Sequence, residues 1–358
     1  MNFNYGPFNY AGFCQEEAQR MAARYKRLTK LALHDPEPRV GQTPKDVIWT
    51  RNKTKLYHFH NGHVTRSTPL MMVYALINRP YILDICQGNS MVEYLIKEGF
   101  DVYMVDWGTP GIEDKGLKFD DFVLDYLPEA FSVVQERSGS AKVSLLGYCM
   151  GGTLNSLFAA LHPELPIANL VFLASPIDFT DAGLFANWLN PETFNVDKMV
   201  DVMGNIPAEV IDFGNKMLKP VSNFVSSYVH LWDKLHDEVF VENWRVLNHW
   251  VNDGTPFPGE SFRQWIKEFY QKSALVKKEL FLRGRQVDLG MITCPVLNLA
   301  GDKDHIVLPN QSSELAKHIG SKDYEFVTVP SGHVSLVVGK MAKEITWPKI
   351  SEFLSKRD

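Results

Sequence analysis

The feature that most constrains how this chain folds is the ten-residue segment 143–152, whose sequence is VSLLGYCMGG. Its apolar start predicts a buried strand and its end predicts the start of a helix, so Cys149 falls in the turn between them. Gly147 and Gly151 leave room for a strained backbone, and Gly152 allows the helix to pack closely on the strand. A thiol placed there stands exposed at a helix N-terminus, where the helix dipole favours an anion. The segment therefore predicts a nucleophilic cysteine, although an unreactive core cysteine would fit the same residues.

Two acidic residues lie in a loop that follows a predicted strand near the C-terminus. The short apolar run 295–300 predicts the strand, and the loop after it contains Asp302 and Asp304. We favour Asp304 as a catalytic acid, while either carboxylate would also serve to cap a turn. No glycine-spaced acidic loop typical of a calcium site is present, so we expect no metal here.

A histidine follows the next predicted strand, 324–329. A Ser-Gly turn precedes His333 and allows its side chain to point back at the cysteine, which makes His333 the candidate general base and His305 its competitor. Nucleophile, acid and histidine in this chain order, each after a strand, are typical of an α/β-hydrolase. We therefore predict Cys149, Asp304 and His333 as a catalytic triad on that fold.

An acyl-transfer site of this kind also needs hydrogen-bond donors for the oxyanion. In this fold, one donor is the backbone N–H of the residue after the nucleophile, here Met150. The second comes from the loop after an earlier strand, which places it at Ala75 or Leu76.

Apolar or β-branched runs predict the strands, and the stretches between some of them have helical spacing. The predicted strands are 54–59, 69–75, 101–105, 142–147, 168–174, 295–300 and 324–329, with helices near 90–98, 120–136 and 150–162. This alternation is typical of a mostly parallel sheet with helices on both faces.

The alternation breaks between residues 177 and 285. This segment contains five of the eight tryptophans. We interpret it as a helical cap inserted into a core formed by 41–176 and 286–358, although a second small apolar core would have the same composition. A cap over the nucleophile would exclude water from an acyl intermediate.

The N-terminal segment, residues 1–40, is predicted to be helical. Between Glu16 and Leu33, apolar and basic residues recur at helical spacing on opposite faces. Such a helix either docks on its own core or binds a partner, and the sequence leaves both open.

Composition excludes several classes of protein. The net charge of -5, from 37 basic and 42 acidic residues, gives no basic face for nucleic acid. The four cysteines, at 14, 86, 149 and 294, have neither metal-type spacing nor a disulfide framework, so we expect reduced thiols. No charged leader precedes an apolar run, and the longest apolar stretch has only the length of a strand, which predicts a cytoplasmic protein.

Segments outside the predicted triad also resemble a known family. Together with the triad residues, they are similar to polyhydroxyalkanoate synthases, and most to the short catalytic subunit of the two-component class IV enzymes of bacilli, with class III next. The resemblance extends over about residues 20–355 and includes 43–49, 74–84, 106–111, 211–220 and 264–266.

This resemblance implies a specific reaction. The expected substrate is an (R)-3-hydroxyacyl-coenzyme A with a short side chain, and the products are a polyester and free coenzyme A. The catalytic set of the family matches Cys149, Asp304 and His333, with no cofactor or metal. The resemblance leaves open whether Asp304 orients His333 or itself acts as base on the 3-hydroxyl.

The resemblance also implies partners and a location. We expect a small accessory subunit, a growing polyester chain, possible homo-oligomers, and a place at the surface of polyester granules in the cytoplasm. Two alternatives remain: a cysteine-dependent thioesterase or esterase of the same fold, and a non-catalytic, granule-associated scaffold. Arg283 and Arg285 would suit coenzyme A phosphates, but a solvated cationic loop is the favoured interpretation.

Overall fold

The computed structural model describes residues 10–33 and 37–358. Within them, an eight-stranded sheet forms the core. Its strands are β1 (Lys45–Arg51), β2 (Thr54–Phe59), β3 (Leu70–Val73), β4 (Val102–Asp106), β5 (Val143–Tyr148), β6 (Ile167–Leu173), β7 (Val296–Gly301) and β8 (Tyr324–Val329). Short ladders outside the sheet pair Asp84–Cys86 with Asn89–Ser90 and Phe281–Leu282 with Arg285–Gln286.

The strand order is β1-β2-β4-β3-β5-β6-β7-β8. Strand β2 pairs antiparallel with β1 and β4, and all other neighbouring strands are parallel. Since the carboxyl ends of the parallel strands share one edge, loops that follow β3, β5, β7 and β8 meet there. The predicted mostly parallel sheet is confirmed.

Strand β1 was not predicted from the sequence, whereas the seven predicted strands are observed with ends shifted by at most about two residues. The two-residue link from β1 to β2 is Asn52-Lys53, which lacks the Asn-Gly pair typical of a tight hairpin. Asn52 nevertheless takes a positive φ of 53°, and its side chain donates to Asp114 at 2.7 Å. An edge strand with mixed burial has no clear alternation for sequence reasoning to detect.

Helices pack around the sheet. Those outside the 177–285 segment are α1 (Tyr10–Leu33), α2 (Met91–Lys97), α3 (Leu127–Ser138), α4 (Met150–Leu161), α11 (Pro309–Ser313) and α12 (Trp347–Ser355). Helix α3 continues a helical turn at Phe119–Asp121 and a π-helical turn at Phe122–Tyr126, and α12 follows a π-helical turn at Ala342–Thr346. Short 3₁₀ turns lie at Pro80–Leu83, Ile112–Asp114, Leu289–Met291, Glu314–Lys317 and Val334–Leu336.

The 177–285 segment is mainly helical. It contains α5 (Leu184–Trp188), α6 (Val196–Met203), α7 (Ala208–Met217), α8 (Ser227–Lys234), α9 (Glu238–Asn252) and α10 (Gly259–Gln264). Helix α8 follows a π-helical turn at Ser222–Ser226, and α10 runs into another at Trp265–Gln271.

The chain divides into two compact units. The larger unit, Val40–Leu218 with Trp250–Asp358, contains the sheet and all candidate site residues. In the smaller unit, α1 contacts residues from Lys219–His249. There the rings of Tyr25 and Trp232 meet edge to face at 6.1 Å, and Arg24 donates to the Asp233 carbonyl at 3.4 Å. Residues 1–9 and 34–36 of the predicted N-terminal segment, and the side chain of Cys14, lie outside the described residues.

None of the described helices combines the length and the apolar character that crossing a lipid bilayer requires.

The centre of the core depends on a close approach of α4 to the sheet. A β-carbon at Gly147, in β5, would overlap the backbone of Gly152 in α4. Both residues are buried, and the obstacle is backbone that cannot rotate away.

We therefore expect Gly147→Ala to lower the free energy of unfolding by about 1–3 kcal/mol or more, because the added methyl must push α4 away from β5. Gly214→Ala is the matched control, since a β-carbon there meets nothing within 4 Å inside α7. Its free energy of unfolding should rise by about 0.5–1 kcal/mol from helix propensity alone. Urea unfolding of both variants checks the pair, and equal effects would contradict the close-approach argument.

Candidate active site

Cys149 lies in the turn between β5 and α4, as the sequence predicts. Its backbone is at φ 56° and ψ -130°, a conformation that side-chain-bearing residues adopt only under strain. The Cys149 N–H donates to the Leu173 carbonyl at the end of β6 at 2.9 Å. This hydrogen bond to the end of β6 therefore helps to keep Cys149 in its strained conformation.

The glycines of this turn act through close approach. A β-carbon at Gly151 would overlap the backbone of Val73 and crowd Tyr74, and one at Gly152 would overlap the side chain of Ser175. We expected Gly147 and Gly151 to leave room for a strained backbone at the nucleophile, and the strained residue is Cys149, with both glycines in close contact with neighbouring backbone. The glycines allow the first turn of α4 to contact three strand ends.

His333 and Asp304 form a buried pair. The His333 Nδ1 lies 2.7 Å from Asp304 Oδ2, and the side chains are 7% and 0% exposed. The other carboxylate oxygen of Asp304 accepts the N–H groups of Ile306 and Val307 at 2.9 and 3.0 Å. Asp302, the alternative acid, is exposed. The structure thus pairs Asp304 with His333.

Cys149 completes the arrangement, because it lies close enough to His333 to contribute to the pKa of the imidazole. Burial works to lower the pKa of His333, but the charges of Asp304 and Cys149 and the hydrogen bonds to both outweigh it and raise the pKa to about 10. The imidazole is accordingly held in its charged form between two acidic groups. Such a site presents an activated sulfur to an electrophile.

Three tyrosines that the sequence analysis did not identify surround the sulfur. The ring of Tyr148 stacks on His333 with centroids 5.1 Å apart, and its hydroxyl donates to the His333 carbonyl at 3.1 Å. Tyr74 stacks on Tyr148 at 5.3 Å. Burial, together with the charge of Cys149, raises the pKa of Tyr74, Tyr148 and Tyr270. Only the position of Tyr148 next to the nucleophile offered a sequence signal.

The loop after β3 begins beside this site. The strand was predicted to reach residue 75, but it ends at Val73, so Tyr74, Ala75 and Leu76 belong to the loop. Ala75 and Leu76 are at most 2% exposed, and their N–H groups donate to no acceptor among the described residues. The N–H of Met150, at the start of α4, likewise has no acceptor there. Buried N–H groups without partners are rare in folded proteins.

Within the described residues, no three histidine, cysteine or acidic side chains are grouped as metal ligands would be. Burial raises the pKa of Cys294 to about 12, which keeps that thiol protonated and unreactive.

The arginines considered for coenzyme A phosphates are engaged within the protein. Arg283 forms a two-pronged ion pair with Asp125, both N–O distances being 2.8 Å, and a second ion pair with Asp121. Arg285 donates to the Leu161 carbonyl. Neither arrangement supports a phosphate site at these residues.

Residues 68–340 match the family model of the alpha/beta hydrolase fold. The chain is 37% identical to the poly(3-hydroxyalkanoate) polymerase subunit PhaC of Haloferax mediterranei, over 96% of this chain and 70% of that protein. It is 38% identical to the protein of the same name from Allochromatium vinosum, over 88% of this chain and 90% of that protein. The chain belongs to the poly(3-hydroxyalkanoate) polymerase family. The family, fold class and enzyme class predicted from the sequence are confirmed, and the near-equal length of the Allochromatium protein fits the predicted short type.

The structure of this polymerase-family chain is also similar to an esterase from Thermogutta terrifontis. The TM-score is 0.52 at 16% identity, with 88% of this chain and 99% of the esterase aligned. At that identity the likeness concerns the fold alone.

The raised pKa of His333 predicts a pH-dependent contribution to stability. Because its folded-state pKa of about 10 lies above the ordinary 6.5, the charged imidazole stabilises the fold fully below pH 6.5. This contribution is lost as the pH rises from 6.5 toward 10. We expect the free energy of unfolding of Asp304→Asn to fall less across that window than that of the wild type, because the variant lacks the charge of Asp304.

Urea unfolding at the two ends of this window measures the difference. Asp302→Asn is the control, since Asp302 is exposed and only two residues away. Its free energy of unfolding should depend on pH as that of the wild type does. The same pH dependence in Asp304→Asn would contradict the assignment of the raised His333 pKa to the charge of Asp304.

Proposed function

We propose that this chain polymerises (R)-3-hydroxyacyl-coenzyme A, with short side chains such as 3-hydroxybutyryl, into a polyester with release of coenzyme A. The growing chain is carried as a thioester on Cys149. The observation that carries this proposal is the strained Cys149 beside a buried His333, which is itself hydrogen-bonded to Asp304. Family membership adds the kind of product.

A cysteine suits this reaction better than a serine. Transfer of an acyl group from coenzyme A to Cys149 exchanges one thioester for another of similar energy, so the acyl-enzyme remains reactive toward an alcohol. An ester on serine would lie lower in energy and would react slowly with the next hydroxyl.

In the acylation step, the sulfur of Cys149 attacks the thioester carbonyl of the substrate. The carbon–sulfur bond to coenzyme A breaks, and the departing thiolate takes the proton from the charged imidazole of His333. The products are the Cys149 thioester, free coenzyme A and a neutral His333.

Acylation then prepares His333 for the second step. The charge and hydrogen bond of Cys149 contribute to the raised pKa of His333, and both are lost when the sulfur is acylated. A neutral imidazole with a lower pKa is able to take the proton of a 3-hydroxyl as that oxygen attacks the thioester. When the hydroxyl is that of an incoming (R)-3-hydroxyacyl-coenzyme A, the ester bond forms, Cys149 leaves as thiolate, and the charged imidazole is restored. The elongated chain is then a coenzyme A thioester, and it acylates Cys149 again by the first step.

In this scheme Asp304 orients His333 and stabilises its charge. Both oxygens of Asp304 are occupied, one by the imidazole and one by two backbone N–H groups, and its side chain is fully buried. These contacts favour the orienting role over direct action of Asp304 on the hydroxyl.

The oxyanion donors are the N–H of Met150 and that of Ala75 or Leu76. Each group is buried and without an acceptor among the described residues. The overlap that a β-carbon at Gly151 would have with Val73 indicates how closely α4 and the loop after β3 approach. Two convergent N–H groups would stabilise the negative oxygen of each tetrahedral intermediate.

Residues 177–285 serve as the cap. By excluding water from the acyl-enzyme, the cap favours polymerisation over the hydrolysis that a thioesterase performs. Tyr270 lies close enough to Cys149 for the charge of the sulfur to raise its pKa, and its ring contacts Phe179, Phe185 and Trp265. An aromatic wall at the nucleophile favours an acyl chain over water.

The chain acts with a small accessory subunit and remains at the granule surface with its insoluble product. Its relatives are named as subunits. Apolar side chains at one helical spacing, those of Val221, Val225 and Val229, are more than half exposed and offer a surface for association. No cofactor is required, since coenzyme A is the leaving group.

Incubation with (R)-3-hydroxybutyryl-coenzyme A, with and without the accessory subunit, tests the proposal. We expect coenzyme A release with insoluble polyester, and loss of both by at least about a thousandfold in Cys149→Ala, because no other group can carry the acyl chain. Cys294→Ala should retain activity. Free hydroxy acid as the only product would indicate a thioesterase, and release that persists in Cys149→Ala would exclude the proposed mechanism.

Cys149→Ser tests the thioester argument separately. If the low energy of the serine ester makes its reaction with the next hydroxyl slow, Cys149→Ser releases one equivalent of coenzyme A. The ester then accumulates on the protein. Intact-protein mass spectrometry detects that adduct. Sustained polymerisation by Cys149→Ser would contradict the argument.

A further inference from the structure

The loop after β3 is bound through its carbonyl groups by side chains outside it. The indole N–H of Trp107 donates to the Tyr74 carbonyl at 2.9 Å. Thr255 donates twice, from its hydroxyl to the Leu76 carbonyl at 3.1 Å and from its backbone N–H to the Ile77 carbonyl at 3.2 Å. These three contacts occupy acceptors on both sides of Ala75.

Because a peptide group is planar, a hydrogen bond to its carbonyl also fixes the direction in which its N–H points. In a trans peptide the C=O and the following N–H point in opposite directions, and no cis peptide is present among the described residues. Trp107 binds the carbonyl of the Tyr74–Ala75 peptide, so it turns the Ala75 N–H away from itself. Thr255 binds the carbonyl of the Leu76–Ile77 peptide, whose N–H is that of Ile77, so it fixes the end of the loop rather than the direction of the Ala75 N–H.

Both donors are held rigidly. Trp107 is 7% exposed and packs edge to face on Phe122 with centroids 5.0 Å apart. Thr255 is 2% exposed, and the segment that carries it is anchored through Asp253, which bonds Arg79 at 3.2 Å and Tyr81 at 2.9 Å. The loop is therefore fixed at two points, by Trp107 directly after β4 and by Thr255 in the segment 250–255.

We propose that Trp107 and Thr255 are positioning residues for the oxyanion: Trp107 aims the Ala75 N–H, and Thr255 fixes the far end of the same loop. This inference rests on the proposed acyl transfer to Cys149. It also gives a role to the Asp-Trp-Gly segment at 106–108, which the catalytic triad does not use.

Two reactions of the Cys149 sulfur distinguish an effect on the oxyanion donors from a general effect on the fold or the triad. Acylation of Cys149 forms a tetrahedral oxyanion, whereas its alkylation by iodoacetamide displaces iodide and forms none. A residue that acts through the oxyanion donors changes the first rate and leaves the second unchanged. A residue that only supports the fold or the triad changes both.

The variants are Thr255→Val, which keeps the shape and removes the hydroxyl, Thr255→Ser, which restores it, and Trp107→Phe, which keeps a ring and removes the N–H. We expect the burst of coenzyme A release to slow about ten- to a hundredfold in Thr255→Val and Trp107→Phe. The alkylation rate and the apparent KM should stay within about twofold of the wild type. Thr255→Ser should recover most of the burst rate.

An unchanged burst rate in both Thr255→Val and Trp107→Phe would overturn the proposal. Equal loss of acylation and alkylation would also overturn it, because that result indicates a structural role. Acylation by p-nitrophenyl butyrate, followed as p-nitrophenol release, provides the same comparison without the coenzyme A substrate. If the wild type reacts with the ester but not with the thioester, the proposed function fails while the positioning role is still measured.

Discussion

The strained backbone at Cys149 is the constraint on which the rest of the site depends. A positive φ at a residue with a side chain is unfavourable, and here it is held by one hydrogen bond to the end of β6 and by packing of α4. That packing is possible only because residues 147, 151 and 152 lack side chains. The strain lifts the sulfur out of the sheet at the edge where the loops after β3, β7 and β8 converge.

The same packing links the nucleophile to the oxyanion loop. Gly151 lies against Val73 and Tyr74, so the residue two positions after the nucleophile contacts the end of β3. Any movement of α4 would therefore shift Met150 and the loop at Ala75 together. The proposed nucleophile and the proposed oxyanion donors are thus parts of one close contact between a helix and three strands.

Much of this arrangement was predictable, because it follows from local patterns repeated in a known order. The apolar runs of β3, β5 and β7 are buried strands, and the short loops after β7 and β8 place Asp304 and His333 at one edge. The choice of Asp304 over Asp302 agrees with burial, which a sequence does not display. Strand β1 was missed because its hairpin lacks a strong turn signal, and Tyr270 was not identified because only tertiary folding brings it to Cys149. Trp107 lies 33 positions along the chain from Tyr74, and Thr255 lies 179 positions from Leu76. No local sequence pattern indicates contacts between residues so far apart.

Electrostatics connects these parts into a site with two states. Burial is the main cause of the raised pKa values of Tyr74, Tyr148 and Tyr270, and the charge of Cys149 adds to it; the same charge, with that of Asp304, raises the pKa of His333. In the proposed reaction, acylation of Cys149 removes that charge, while buried hydrogen bonds hold the His333–Asp304 pair. In that mechanism, the pKa of His333 is lower when Cys149 carries an acyl group than when it does not. In the proposed mechanism, His333 therefore donates a proton in one half of the cycle and accepts one in the other, without a change in the fold.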